Sequence, residues 1–334
     1  MTGLTQLLQT GLSGLSAAAE GMQTVANNTA NVNTPGYNIE AINQAELPPV
    51  EGGVGGGADV TSVQRAFDQF IYQDIVRASS SNQAANVVQA NAQNLAAIFP
   101  VASGGAGGLG SAIGSFFAGV NQVAQDPTSA ANRQALLGAA RSLASSFNSV
   151  GDQISGSLNN LDGQVTATVQ QINSLTQQIA SLNQQITEQA GASGGAPNPL
   201  LDQRDQLVQQ LGQQLGVTTI ARANGVLDVY TSSGAALVNG SSAFQLAVTA
   251  SSYGDGEPVL SYGPNGQDVT NSLAGGQLGG LLTSRSQLVS AQDSVGAMAA
   301  AFASAVNQQQ SLGLDLNGNL GGPLFSVAGP TVYS

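Results

Sequence analysis

The first thirty residues carry an apolar stripe with helical spacing. Its members recur at alternating intervals of three and four residues, with Gly11 at the missing step. They are Leu4, Leu8, Leu15, Ala18, Met22, Val25, Thr29 and Val32. This heptad pattern predicts a helix that packs against another helix, and no matching stripe follows within forty residues. We therefore expect its partner to be a distant segment or another chain; an ordinary amphipathic core helix is the alternative.

Asparagines and a turn close this helix. The stretch A-N-N-T-A-N-V-N-T-P-G-Y covers residues 26–37, and it places Asn27, Asn28 and Asn31 in helical register although asparagine competes with the helix for backbone hydrogen bonds. The face that carries Asn27 and Asn31 points away from the stripe, so we expect it to contact neighbouring subunits. Thr34-Pro35-Gly36-Tyr37 predicts a type II turn, because proline presets φ at the second position and glycine accepts a positive φ at the third.

The remaining apolar pattern predicts further helices and one β region. A flexible joint at 51–57 is followed by a short extended stretch from about residue 60 that runs into a helix, then by helices at about 82–99 and 111–125. A longer apolar repeat runs from Leu136 to Ile186 with one stutter; a continuous helix there would span about 90 Å. Three glycines, at 151, 156 and 163, favour a break as the alternative. A helix at about 200–215, alternating strands at 217–250 and a returning helix from Gly276 complete the pattern.

These elements predict a mainly α fold with a smaller antiparallel β portion. We expect an elongated, multi-domain chain, in which a long helical bundle or coiled-coil rod accompanies a β subdomain. The predicted parts are an N-terminal helix and turn (1–40), a connector (41–80), a long-helix bundle (81–216), a β-rich subdomain (217–275), a returning helix of the bundle (276–312) and the truncated start of a further domain (313–334).

Composition excludes most catalytic chemistry. Only 8% of the 334 residues are charged, against about 25% in an ordinary globular protein. The chain has no histidine and no cysteine, and its seven basic residues are all arginine. Ser-His and Cys-His nucleophile pairs, His/Cys zinc sites and lysine chemistry are therefore excluded. We expect no enzymatic activity, no metal and no cofactor.

Charge and hydropathy also restrict the partners. A net charge of −12 disfavours binding to nucleic acid or to an anionic membrane. No apolar run reaches the ~18 residues of a membrane span, and the N-terminus lacks the features of a Sec-type signal peptide.

Three short motifs carry weak chemical signals. The residues from Gly105 to Gly110 match a dinucleotide fingerprint, but a helical segment precedes them, so a linker is favoured. The stretch 315–319 resembles a calcium loop, but its glycine is misplaced and Ser326 stands where a glutamate is needed, so an Asn-Gly turn is favoured. Asp202 and Asp205 could form an acid pair; ordinary exposed helix charges are the favoured interpretation.

Two sets of residues resemble flagellar proteins. The N-terminal motif is similar to the signature of bacterial flagellar axial proteins at Ala26, Asn28, Ala30, Asn31, Thr34, Gly36 and Tyr37. Further stretches resemble the FlgK family of hook-associated proteins. They are Asp126-Pro127 with 133–137, the segment L-L-D-Q-R-D-Q-L at 200–207 with Asp202, Arg204 and Asp205, the segment 276–282 with Arg285, and 313–318.

The resemblance implies a structural role at the junction between hook and filament. It implies self-association in a ring, contacts with the hook protein and the second hook-associated protein, and an export chaperone. It also implies type III flagellar export without a cleavable signal peptide and an extracellular location on the flagellum. Two alternative functions remain. The first is another axial subunit, of hook or filament type, and the second is a flagellum-associated enzyme such as a wall hydrolase.

The resemblance also concerns the end of the chain. Family members continue into a β domain and a C-terminal helix that pairs with the N-terminal one, whereas this chain stops at Ser334. We therefore expect a fragment or a truncated product, with the chaperone site in the missing C-terminal part. Asn28, Asn31, Thr34, Gly36 and Tyr37 are the expected assembly motif. The expected structural signature residues are Asp202, Arg204, Asp205 and Arg285.

Overall fold

The computed structural model describes residues 2–48, 55–100, 108–193, 197–222, 225–251, 257–263 and 265–327. These residues are mainly α-helical with small antiparallel sheets, which confirms the predicted fold class. The helices are α1 (Thr2–Ala30), α2 (Gln69–Ile98), α3 (Gly108–Gln125), α4 (Ala130–Ser193), α5 (Asn198–Gln214) and α6 (Gly276–Ser311). The strands are β1 (Glu40–Glu46), β2 (Ala58–Arg65), β3 (Val217–Ala221), β4 (Leu227–Thr231), β5 (Ala236–Asn239), β6 (Ser242–Ala243), β7 (Leu246–Ala250), β8 (Pro258–Tyr262) and β9 (Gln267–Asp268).

The chain folds into two compact units. Unit 1 contains Met1–Gln83, Thr168–Ala247 and Leu260–Leu278, and unit 2 contains Ala84–Ala167, Val248–Val259 and Gly279–Ser334. The predicted parts were contiguous in sequence, so this division differs from them. The reason is physical: a long helix can contribute separate stretches to separate cores, and α4 contributes residues to both units.

The longest helix follows its apolar repeat without a break. Helix α4 has 64 residues, and most of its repeat is buried, including Leu143, Ile154, Ile172 and Ile186. A Cβ added at Gly151, Gly156 or Gly163 would have open space around it, so these glycines lie off the packed face. Each costs about 1 kcal/mol in helix propensity, which the buried repeat offsets. The alternative of a break there is therefore wrong.

Unit 1 contains a β hairpin, of which the sequence pattern predicted only the second strand, β2. Strand β1 pairs antiparallel with β2, with Ile42 opposite Val63. The helix predicted after the extended stretch and the helix predicted at about 82–99 are one continuous helix, α2, which begins at Gln69. Ile42 is the only large apolar residue of β1, so no alternating pattern marks this strand. The predicted connector at 41–80 is thus largely regular structure.

The other sheets follow the predicted antiparallel arrangement. Strands β3 to β6 form one sheet in sequence order, and β7 to β9 form another. Val229, Leu237 and Val238 are fully buried in the first sheet, so it contributes directly to the core of unit 1.

Unit 2 is built around an aromatic core. Phe116, Ala140 and Leu143 are buried, and Phe302 and Phe325 pack against them. The rings of Phe116 and Phe325 lie 5.7 Å apart between centroids. The expectation that a further domain starts at residue 313 is therefore wrong for the described residues up to 327, because Phe325 returns the chain to this core.

Asparagine clamps recur in both units. We use this name for an asparagine whose Nδ2 donates to the carbonyl, and whose Oδ1 accepts from the N–H, of one distant residue. Asn173 holds Leu246 in this way with contacts of 2.8 and 2.9 Å, and Asn183 holds Leu227 with contacts of 2.8 and 3.2 Å. In unit 2, Asn307 holds Phe325 with contacts of 2.7 and 3.0 Å. Each clamp fixes a helix to an extended segment without any charge.

Several predicted features fall outside the described residues. They are 51–54 of the flexible joint, Gly105 and Gly107 of the fingerprint, 194–196 after the long helix, and 330–334 at the end of the chain. Gly110 lies inside α3, and the stretch at 315–319 forms the predicted turn, in which the Asp315 carboxylate accepts from the backbone N–H groups of Asn317 and Asn319.

Candidate functional site

The predicted stripe on α1 is exposed. Its large members, Leu4, Leu8, Leu15, Met22, Val25 and Val32, have exposed fractions between 63% and 73%. The opposite side of α1 is packed: Ala17 and Thr24 are buried, and a Cβ at Gly21 would lie 3.2 Å from Ile42 of β1. Small residues thus let the hairpin approach α1 closely. The stripe remains without a partner among the described residues, and apolar patches of this kind mark contact surfaces.

Asn28 binds its own chain. It forms a fourth asparagine clamp, donating from Nδ2 to the carbonyl of Glu40 at 2.9 Å and accepting the Glu40 N–H at 2.9 Å. Tyr37 donates its hydroxyl to the same Oδ1 at 2.7 Å, and partial burial, with the carboxylates of Glu40 and Asp202 nearby, raises the pKa of Tyr37. Three hydrogen bonds within the chain thus engage the Asn28 amide, which holds the end of α1 to the hairpin.

Asn31 and Thr34 shape the helix end and the turn after it. Asn31 donates from Nδ2 to the Asn27 side chain at 2.9 Å and accepts from the Thr34 hydroxyl at 3.1 Å. The Tyr37 N–H reaches the carbonyl of Thr34 at 3.2 Å, and Gly36 has φ +80°. These values confirm the hydrogen-bonded turn with a positive φ at its third residue, so Gly36 occupies a position where other residues are strained.

The turn lies against helix α5. Asn38, just after the turn, donates to the carboxylate of Asp202 from its backbone at 3.1 Å and from its side chain at 2.8 Å. Gln206 lies 3.5 Å from a Cβ built on Gly36. A cavity of about 280 Å³ lies between the turn and α5, and residues 34–37 and Gln203 are among those that line it. The two sequence signatures, joined here by a contact between residues 164 positions apart in the chain, therefore meet in unit 1.

Arg204 and Asp205 are buried, each 5% exposed, so the expectation of exposed helix charges is wrong for them. The guanidinium of Arg204 binds the Asp205 carboxylate at 3.0 Å and the carbonyl of Gly225 at 2.6 Å. Tyr72 of α2 donates its hydroxyl to the backbone carbonyl of Asp205. Burial, with the negative charge of Asp205 nearby, raises the pKa of Tyr72. Helix α5 is thereby tied to the β region and to α2.

Arg65 and Asn198 complete the site, and sequence reasoning missed both. Arg65, the last residue of β2, places Nη1 on Asp202 and, at 2.9 Å, on Asp205. Asn198, the first residue of α5, donates to Glu40 at 2.9 Å and to the carbonyl of Val63 at 3.1 Å. The signal that could have found Arg65 was the imbalance on α5, where two carboxylates stand beside one arginine.

Arg285 belongs elsewhere. It lies on α6 in unit 2, where it pairs with Asp162 at 2.8 Å and with Glu257 at 2.7 Å. Of the predicted site residues, the structure thus gathers the turn residues and those of α5 in one place and leaves Arg285 out of it.

The site is suited to holding segments in a fixed geometry. Asp202 and Asp205 are both ion-paired, so neither carboxylate stands ready as a general acid or base. Across the part of the chain that the structure describes, no group of three or more acidic side chains is arranged to bind a metal ion. None of the described helices combines the length and the hydropathy that a membrane span requires.

Two known protein families match this chain, one over the segment that contains α5 and one over the segment that contains the turn. The family described as "Flagellar hook-associated protein FlgK helical domain" matches residues 100–325, more than half of the chain. The family described as "Flagella basal body rod protein" matches residues 8–38, which include most of α1 and the turn.

Individual relatives agree with these matches. The chain is 34% identical to flagellar hook-associated protein 1 of Salmonella typhimurium, over 99% of this chain and 61% of the relative. It is 27% identical to the Bacillus subtilis protein of the same name, over 98% of this chain and 71% of the relative. The solved structure of the flagellar hook junction protein FlgK from Burkholderia pseudomallei is similar, with a TM-score of 0.68 and 37% identity, over 77% of this chain and 46% of that one.

The chain thus spans about three fifths of the length of the Salmonella relative. The family match covers more than half of the chain, and the structural likeness extends over most of it. The chain therefore belongs to the FlgK family of flagellar hook-associated proteins.

Proposed function

We propose that this chain is a structural subunit of the bacterial flagellum that joins the hook to the filament as a hook-associated junction protein. The observation that carries the proposal is the exposed stripe of α1, whose large apolar side chains have no partner among the described residues. A helix of this kind is stabilised chiefly by packing of its apolar face, so the stripe requires a partner helix. The Burkholderia protein that the chain resembles is itself named a hook junction protein.

The site gives the stripe a defined direction. Helix α1 is held to the hairpin by the Asn28 clamp, and the turn at Gly36 and the hairpin are held to α5 by Asp202 and Asn198. Every copy of the subunit therefore presents the stripe at the same angle. A repeating assembly needs this property, because an angular error in each subunit recurs at every repeat.

The proposal includes partners and location. We propose self-association in a ring, contacts with the hook protein and the second hook-associated protein, and an export chaperone. We also propose an extracellular position on the flagellum, reached without a cleavable signal peptide. The low content of basic residues supports a role without nucleic acid or membrane as partner.

A second candidate is another axial subunit, of hook or filament type. The match of residues 8–38 to a rod-protein family favours this alternative, because that segment alone does not distinguish among axial proteins. An enzyme carried on the flagellum has less support, since Asp202 and Asp205 are both engaged in ion pairs.

The test is localisation on the flagellum with a stripe variant. A tagged chain would be expressed in a bacterium that lacks its own junction protein, and isolated flagella would be imaged by cryo-electron microscopy. We expect the tag at the hook–filament boundary, and we expect Leu8→Gln/Leu15→Gln to fold but not to be incorporated. Ile220→Gln, at an exposed apolar position on β3, is the matched control and should be incorporated. A tag along the filament or the hook would support the second candidate and overturn the junction role.

A further inference from the structure

Helix α1 and the hairpin β1–β2 form one piece of unit 1. Helix α1 contacts both strands, with Gly21 against Ile42 and with Thr24 buried. The Asn28 clamp fixes the end of α1 to Glu40, the first residue of β1. The orientation of α1 is therefore set wherever the hairpin is fixed to the rest of unit 1.

Arg65 supplies the charged contact that fixes the hairpin to α5, beside the neutral contacts of Asn198. The Arg65 side chain is 8% exposed, and one guanidinium nitrogen lies between Asp202 and Asp205, whose side chains are 13% and 6% exposed. The back of the guanidinium lies 4.8 Å from the centre of the Phe67 ring. Arg65 is thus held on three sides, and a planar, fully charged group suits such a site better than a flexible ammonium.

No other cation can replace Arg65 in the described structure. Arg204 pairs with Asp205 but directs its other nitrogen to the carbonyl of Gly225, and it makes no ion pair with Asp202. Asp202 is otherwise bound only by the neutral donors of Asn38. Removing one partner of a buried ion pair leaves an uncompensated charge, which is costly. Loss of Arg65 would therefore leave Asp202 without a counter-ion and favour separation of the hairpin from α5.

We propose that Arg65 is the positioning residue that sets the angle of α1 relative to α5. The purpose of this angle rests on the proposed junction function. The contacts that set the angle do not depend on that function. The residue lies outside both sequence signatures, at the end of the strand that corresponds to the extended stretch predicted from about residue 60. Its role is to transmit the position of α5 to α1 through the hairpin.

The test is a spin-label distance between the hairpin and α5. The chain has no cysteine, so Ala45→Cys on β1 and Gln210→Cys on α5, both exposed, can be labelled cleanly. We expect one narrow distance distribution in the parent protein. With Arg65→Gln, the ratio of molecules outside this peak to those within it should rise roughly tenfold or more. Arg77→Gln, which removes an exposed arginine paired with Asp74, is the control and should leave the distribution narrow.

The outcomes separate positioning from general stability. A narrow distribution with Arg65→Gln overturns the proposal, and so does equal broadening with Arg77→Gln. If Arg65→Gln loses its helical circular dichroism, Asp202→Asn decides: it removes the charge at nearly constant shape, and it must broaden the distribution if Arg65 acts through this pair. The measurement needs no flagellum. A chain that localises elsewhere on the flagellum would therefore overturn the proposed function and leave the role of Arg65 intact.

Discussion

Replacing Asn183 by leucine tests the contribution of an asparagine clamp. Asn183 is 1% exposed and donates from Nδ2 to the carbonyls of Leu227 and Gly240, each at 2.8 Å, while its Oδ1 accepts the N–H of Leu227 at 3.2 Å. Leucine has a similar size and shape but no polar atom. Asn183→Leu therefore removes the hydrogen bonds while nearly preserving the packing volume.

The structure sets the expected size of the effect. The N–H and the carbonyl of Leu227 are buried and lose their side-chain partner, and the carbonyl of Gly240 is partly buried. An unsatisfied buried group costs about 1–3 kcal/mol, and the added apolar burial of leucine offsets about 1–2 kcal/mol of the total. We expect the free energy of unfolding of this region to fall by about 2–5 kcal/mol.

Hydrogen exchange is the appropriate measurement, because it reports the opening of one region in a chain with two units. The N–H of Leu227 should exchange on the order of 30 times faster or more in the variant. The matched control is Gln184→Leu at the next position of α4, where the exposed glutamine bonds only Glu188. Protection of Leu227 within a factor of about 3 of the parent protein would show that the clamp adds little beyond ordinary hydrogen bonding and would refute the reasoning.

Three further predictions concern the site. Arg204→Ala removes the buried donor to Asp205 and to the carbonyl of Gly225, so it should destabilise the chain by about 3–5 kcal/mol. The control Arg77→Ala removes an exposed ion pair and should change the melting temperature little. Equal melting temperatures for the two variants would contradict a structural role for Arg204. Gly36→Val imposes a left-handed penalty of roughly 1–2 kcal/mol on the turn and should abolish incorporation into flagella. Gly318→Val carries a similar penalty, since Gly318 has φ +82°, but its loop is remote in sequence from α1; incorporation of both variants would show that the turn does not set assembly geometry. Tyr72 has a raised pKa when folded, while the unfolded side chain ionises near 10.0, so stability should be retained below pH 10 and lost as the pH rises further. Urea midpoints at pH 9 and at pH 11 should differ less in Tyr72→Phe than in the parent protein, and an equal difference would contradict this assignment.

Periodicity predicted the elements that bury a repeating face. The repeat of α4 was evident because each apolar residue three or four positions along contacts the same core, and the open stripe of α1 was found by the same rule. The turn at Gly36 was also predictable, because proline and glycine fix backbone angles locally. These features depend on neighbours in sequence, which is why one sequence suffices to find them.

The missed features depend on contacts distant in sequence. Strand β1 has one large apolar residue, and it is a strand because Glu40 and Ile42 meet α1 and β2 in space. The partner of Asn28 could not be identified, since a helix asparagine that binds a neighbouring subunit and one that binds its own hairpin have the same sequence pattern. Arg65 lies 137 residues before Asp202, and no local signal links the two.

The asparagine clamps are contacts that do not respond to the pH or the salt concentration of the medium. An amide has no pKa in the accessible range and no net charge, so the clamps at Asn173, Asn183 and Asn307 hold their segments equally in acid and at neutral pH, in fresh water and in brine. Unit 1 also has charged contacts: Arg65 pairs with Asp202 where the hairpin meets α5, and Arg222 pairs with the buried Asp228 of β4. For a chain that we propose to work outside the cell, the segments that these clamps hold would keep their contacts as the acidity and the salt of the surroundings change.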